Sequence, residues 1–388
     1  MHISDDQRRA RLGTRHALAS PVDSVVGAAR SVVALHGTDP ATTVLSAALR
    51  SESPIDDVLT ALYDDRTLVR VLSMRRTVFA VPTDLVTSCL VAASDTVARE
   101  QRRLFHKMLI ESGVTDDPEP WLVEAETLAI EAAEQVDDVT ATELATTHPL
   151  LATRMVIGAG TPREGSQTVA SRLMTLLSAE GRLVRARPKG GWTSTQFRWS
   201  ALDRWVDVGT PPPLDDAAAE LARRYVHAYG PVTEDDVVWW FGWTKTRARA
   251  AMGRLDLVEV DLDGSTGVVL ADDVDPVADP GPWVALLPAL DPSAMGWKHR
   301  DWLLGPHRAE VYDVNGNAGP TVWVDGRIVG GWTKPDGGPV AMELLEDVST
   351  AARALLEEKA RAVDALVGDV DLKARARGWT PVEQRLRV

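Results

Sequence analysis

Leu68-Val69-Arg70-Val71-Leu72-Ser73-Met74-Arg75-Arg76-Thr77-Val78-Phe79-Ala80-Val81 is the stretch on which the fold turns. Two runs rich in Val, Leu and Phe flank the basic turn Met74-Arg75-Arg76, and this pattern predicts a β-hairpin. Upstream, helical spacing marks 6–17, a segment starting after Ser20-Pro21, Ala41–Leu49 and a short helix ending at Tyr63. Helices followed by a basic hairpin outline a winged helix, in which a recognition helix precedes a β wing. Arg75 and Arg76 are read as DNA contacts, although a solvated turn fits the same residues.

Just before this unit lies Leu35-His36-Gly37-Thr38-Asp39-Pro40. The apolar run from Val25 to Leu35 repeats at helical spacing, and Gly37 past its end is a helix stop. Asp39 is a ready N-cap, with Pro40 at the first position of the next helix. A ring nitrogen, a hydroxyl and a carboxylate thus crowd one corner, which makes His36, Thr38 and Asp39 candidate catalytic residues. A capped turn with an incidental histidine is the plainer alternative.

The outline returns twice downstream. After Pro118–Pro120, helices at 121–135, 142–147 and 167–180 lead into strands 182–187 and 195–199 around Pro188-Lys189-Gly190-Gly191-Trp192. Arg185, Arg187, Lys189 and Arg198 beside Trp192 and Trp199 make this an exposed basic hairpin, suited to a groove or to stacking on a base. After Pro211-Pro212-Pro213 come helices 215–229, 235–241 and 244–255 and an acidic hairpin, 257–261 with 267–270. From Trp283 short strands are expected at 284–287, 310–312, 321–324 and 327–332, with turns at Asn315-Gly316, Asp325-Gly326 and Asp336-Gly337. A final helix spans 343–367. The fold class expected is therefore α+β. Winged-helix units occupy 1–115, 116–210 and 211–280, and a small antiparallel β domain with a terminal helix occupies 281–388.

Composition limits the function. The chain has 388 residues, a formal net charge of −14 and one cysteine, Cys89. A single cysteine excludes an internal disulfide or a cysteine-based zinc site, and points to a reducing compartment. The eight histidines are scattered without ligand spacing, so no metal and no cofactor is expected. No apolar window approaches a membrane span and no signal-peptide pattern opens the chain, so a cytoplasmic, nucleoid-associated protein without membrane contact is expected. The charge is uneven: residues 66–107 and 163–204 each hold eight basic against three acidic residues. Screening confines each field to about 10 Å, so local basic faces can meet DNA on an acidic protein.

These runs resemble the AlkZ/YcaQ-like family of bacterial winged-helix DNA glycosylases. The resemblance rests on residues 35–40 and 68–82, on Gly230-Pro231-Val232-Thr233 with Asp236, and on Leu287-Pro288-Ala289-Leu290-Asp291-Pro292 with Trp297, Lys298 and Arg300. Gly326-Arg327-Ile328-Val329-Gly330 completes it. It implies three tandem winged helices around a concave channel, and excision of alkylated or bulky-adduct bases, crosslinks included, from double-stranded DNA. It also places Lys298 and Arg300 along that channel. The family's Gln-x-Gln or Gln-x-Asp motif maps onto His36-Gly37-Thr38, where His36 takes the first position and Thr38 the second. A neutral imidazole can accept a hydrogen bond from the attacking water and act as a base near its ordinary pKa. Asp291 is expected to pair with Arg300 and so to orient its connection. With no heptad or dimer helix in view, a monomer is expected. A non-catalytic winged-helix DNA binder or regulator is the rival class.

Overall fold

The computed structural model describes residues 1–158, 160–161, 164–374 and 377–388. Its first unit is built on the predicted hairpin: Leu68–Leu72 pairs antiparallel with Val78–Pro82 from Leu68↔Pro82 to Leu72↔Val78. Both strands are buried throughout, as their apolar character requires, with Arg70 the one charged side chain among them. A third strand joins the other edge of Val78–Pro82, and it is Leu35–His36, with Leu35 opposite Ala80 and His36 opposite Phe79.

That strand corrects the expected helix. The helix covers only Val25–Ser31; Val33 then turns at φ 66, and the chain leaves in extended form. Val32, Val33, Ala34 and Leu35 are all buried, so tertiary pairing overrides their helical spacing. Gly37 ends no helix. Its N–H donates to the Val78 carbonyl at 2.7 Å, and a Cβ there would lie 3.1 Å from that same oxygen. The next helix is the expected one: Pro40–Ser51, capped by Asp39, whose Oδ1 accepts from the Ala41 N–H at 3.0 Å.

Helices Val86–Cys89 and Asp95–Glu111 are joined by a π-helical turn, Leu90–Ser94, in which the Ser94 hydroxyl donates to the Leu72 carbonyl at 2.9 Å. The second region has helices Pro118–Glu134, Ala141–Ala145, Pro149–Ala152 and Val169–Ala179. The Thr140–Glu143 capping box is present as read. The strands differ from expectation. Leu183–Arg185 pairs with Trp199–Ala201, so residues between Arg185 and Trp199 form a long connection in place of a tight hairpin. A further hairpin, Arg154–Ile157 with Gly165–Thr168, lies where the sequence reading started a helix at 167; the helix starts at Val169 with Thr168 as its cap.

The third region follows the prediction closely. Helices Leu214–Tyr229, Glu234–Phe241 and Lys245–Met252 precede the hairpin Leu257–Asp261/Thr266–Leu270, and Val232 bridges Val268 beside it. The C-terminal sheet has four antiparallel strands in sequence order: Val284–Leu287, Thr321–Val324, Arg327–Thr333 and Ala341–Leu344. Residues 310–312 are not a strand, because Arg308–Val311 is a short helix. The last strand takes residues expected to be helical, and helix Thr350–Val367 begins after its cap, Ser349. Asp325-Gly326 forms the left-handed turn its sequence demands, with φ 47 and 84.

One apolar core runs from Leu12 through Leu35, Phe79, Tyr225, Trp240 and Trp297 to Val382. The second region keeps a separate core around Phe105, Leu122 and Leu173. Cys89 is buried, with burial pushing its thiol up to about 12. Among the described residues no helix is long and apolar enough to cross a membrane, and no cluster of three or more His, Cys, Asp or Glu could hold a metal.

Candidate active site

His36 sits on the edge strand with its ring against Phe79, 5.6 Å between centroids in a T-shaped contact. The ring is buried and its Nδ1 has no hydrogen-bond partner among the described residues. Burial first, and then the positive charge of Arg75, lower its pKa from 6.5 to about 3, against a small upward pull from Asp291. The ring is therefore neutral at physiological pH, and a base near its ordinary pKa is not what this histidine provides. Thr38 is half-buried next to it. Asp39 spends its Oδ1 on the helix cap and lines a cavity with Thr42, Leu45, Pro288, Lys334 and Trp379.

The corner is held from several sides. The Thr43 hydroxyl donates to the His36 carbonyl at 2.8 Å, and the Thr42 hydroxyl donates to that of Ala289 at 2.7 Å. Arg70, 3% exposed, donates from Nη2 to the Gly37 carbonyl at 2.9 Å and from Nη1 to the Tyr63 hydroxyl at 3.0 Å. Sequence reasoning missed Arg70. The available signal was a lone charge in the middle of Leu-Val-Arg-Val-Leu, where an apolar strand has no use for one.

Two guanidinium groups share the Trp239 ring. Arg75 lies 4.9 Å from its centroid and Arg300 5.4 Å, and Arg75 is also 5.5 Å from Trp240. Among the described residues neither forms an ion pair. Arg300 Nη1 donates instead to the Ala294 carbonyl at 3.1 Å and to the Tyr312 hydroxyl at 3.3 Å. Burial, followed by the charge of Arg300, lowers Arg75 to about 10. Like charges gathered without a paired carboxylate make these two arginines candidates for holding an anion.

The expected Asp291–Arg300 pair does not form. Asp291 is fully buried and bidentate with Arg50, at 2.7 and 2.8 Å, and it also accepts from the Ser46 hydroxyl at 2.6 Å. Burial raises its pKa, but Arg50 and these hydrogen bonds outweigh that and hold the carboxyl below its ordinary value. Arg50, on the helix that Asp39 caps, reaches the carboxylate first, and the nine-residue spacing to Arg300 carries no such information.

The other basic candidates divide by their partners. Arg76 and Lys189 are exposed. Arg187 is paired with Asp64 at 2.8 Å, and Lys298 with Asp235 at 2.8 Å. Arg198, at the end of the connection, bonds Asp138 at 2.5 Å and Glu143 at 3.3 Å, which ties it to the loop before the capping box and to the box itself and raises its pKa. Arg185 is not on an exposed turn. It belongs to a strand, lies 4.0 Å from the Phe197 centroid and has a buried Nη1 without a partner. Burial, and then the charge of Arg70, lower it to about 9.

The chain matches the family model described as DNA glycosylase AlkZ-like over residues 29–366. It is 28% identical over 200 residues to the interstrand DNA cross-link repair glycosylase of Streptomyces sahachiroi; the match covers 44% of this chain and 54% of that protein, about half its length. It also resembles the solved structure of Streptomyces sahachiroi DNA glycosylase AlkZ, with a TM-score of 0.74 and 23% identity over 97% of this chain and 100% of that one, a likeness of fold. The mixed helical architecture with small antiparallel sheets, the buried corner at residues 35–40 and the family match over most of the chain agree, and the protein belongs to the AlkZ-like DNA glycosylases.

Proposed function

We propose that the protein is a monofunctional DNA repair glycosylase that binds duplex DNA as a monomer and hydrolyses the N-glycosidic bond of alkylated or bulky-adduct purines. The observation that carries this reading is the partner-free nitrogen of neutral His36 beside unneutralised arginines, in a chain of this family. Units 1–115, 116–210 and 211–280 are read as tandem winged helices lining a concave channel, with 281–388 as a β domain closing it.

In this mechanism the arginines hold phosphates of the damaged strand, and the anionic backbone faces the positive charge that develops on the sugar as the base departs. A purine alkylated at N7 is already cationic and leaves as a neutral base, so no general acid is required. A ring nitrogen of His36 exchanges a hydrogen bond with the attacking water, as acceptor or donor according to tautomer, and the Thr38 hydroxyl supplies a second. A ring with a pKa of about 3 is a weak proton acceptor at neutral pH, so His36 positions the water; once its oxygen has bonded to the anomeric carbon in place of the departed base, the proton passes to bulk solvent. Asp39 keeps the corner in register through its cap. Asp291 orients the segment leading to Lys298 and Arg300 through Arg50.

The test is release of free base from duplexes carrying N7-methylguanine, a bulky guanine adduct or, because of the relative's name, an interstrand crosslink. The wild-type protein is expected to release base from at least one. His36→Ala is expected to lose about 10²-fold in rate, the lower range for a positioned catalytic side chain, while binding DNA as before. No release from any substrate would make the protein a DNA-binding module that has lost its chemistry.

A further inference from the structure

We infer that Arg185, backed by Arg70 across Phe197, forms a phosphodiester-binding site of its own, which reports an occupied DNA backbone to the carbonyl between His36 and Thr38. The inference rests on the glycosylase reading only for the identity of its ligand. The Phe197 ring carries Arg185 at 4.0 Å and Arg70 at 5.3 Å. Both cations retain buried nitrogens without partners, Nη1 of Arg185 and Nε of Arg70. The carboxylate of that corner, Asp64, is taken by Arg187, which holds it at 2.8 and 2.9 Å. Two guanidinium groups brought together without a counter-charge destabilise each other, and an anion relieves both. Arg185 is only half-buried and makes the contact; Arg70 lies behind it, 3% exposed, and is a positioning residue. Arg70 donates to the Gly37 carbonyl at 2.9 Å, so an anion on Arg185 changes the field on the residue that fixes the catalytic corner.

A phosphate and an internal structural role predict opposite signs. Removing a cation whose Nη1 is buried without a partner relieves the folded state, whereas removing a structural support harms it. Arg185→Gln should melt at the wild-type temperature or above. Its binding to an undamaged duplex should weaken, and the slope of log affinity against log salt should fall by about one, the value for one lost phosphate contact. Arg185→Lys should restore the slope. A Gln variant that unfolds, melts several degrees lower or keeps the wild-type slope overturns the inference. Because the duplex is undamaged, the readout is separate from catalysis. Base release with an unchanged slope sinks this site alone, while a lowered slope without base release leaves it standing and sinks the glycosylase reading.

Discussion

At the residue scale, two buried histidines differ in how their ring nitrogens are used. His16 has both nitrogens engaged, Nδ1 with the Ser293 hydroxyl at 2.8 Å and Nε2 with the Ala228 carbonyl at 3.2 Å, and its ring stacks 5.7 Å from Trp297. His36 keeps Nδ1 buried without a partner among the described residues. Both have pKa values lowered from 6.5 to about 3, in each case by burial first. A depressed folded pKa means that the unfolded chain binds more protons between those values. Stability is therefore full above pH 6.5 and is lost as pH falls toward 3. We predict that the urea midpoint drops from pH 7 to pH 4.5, and that His36→Gln, which removes one of these titrations, makes the drop shallower. An unchanged slope in that variant would show that the ring titrates normally.

At the element scale, the turn of the first hairpin runs against its own backbone preference. Arg75 and Arg76 sit at φ 54 and 60, the left-handed region that Asn and Gly fill readily and other residues seldom do. A turn chosen for stability alone would not place two arginines there, and such strain is retained where the side chains do something else. Arg75 reaches the Trp239 ring, while Arg76 stays exposed. Arg76→Gly is therefore expected to raise stability by about 1 kcal/mol, the left-handed penalty for one residue, and to weaken DNA binding. Chemical denaturation and a binding titration at fixed salt check both effects. A destabilised variant would show that the arginine supports the turn.

At the scale of the whole molecule, one buried ion pair fastens the first unit to the C-terminal sheet. Arg50 and Asp291 are both 0% exposed, and the Arg50 guanidinium also holds the Ser293 hydroxyl at 2.8 Å. Breaking a buried pair from one side leaves an uncompensated charge, at a cost of about 3–5 kcal/mol. Asp291→Ala and Arg50→Ala should each lose that much in denaturant unfolding, and the double variant should lose less than their sum. Additive losses would mean that the two side chains act independently. The overall charge of −14 is compatible with DNA binding because Arg70 and Arg75 bring positive charge to the corner at 35–40, while acidic partners neutralise cations such as Arg187 and Lys298.

Local signals were legible in the sequence because their causes lie within a few residues. Asp39 caps the following helix, Thr140–Glu143 and Thr233–Asp236 close capping boxes, Asp325-Gly326 makes its turn, and the hairpins at 68–82 and 257–270 pair as read. The candidates His36, Thr38 and Asp39 stand together in the chain, and of the three the cap formed by Asp39 is the feature the structure carries. What the sequence leaves undecided is every choice among distant competitors. Val32–Leu35 carries helical spacing, yet the open edge of Val78–Pro82 draws Leu35–His36 into a strand. Glu343 and Leu344 leave the expected helix for the same reason, joining the strand Ala341–Leu344 on an unfilled edge along Arg327–Thr333. Asp291 has arginines nearby in sequence, but its partner lies 241 residues away. Arg70, Phe197 and Trp239 gain their roles only through rings and guanidinium groups that chain folding brings together. Caps and turns are settled by short-range geometry and hydrogen bonding, whereas burial and charge pairing depend on which surfaces meet, and only the tertiary structure decides that.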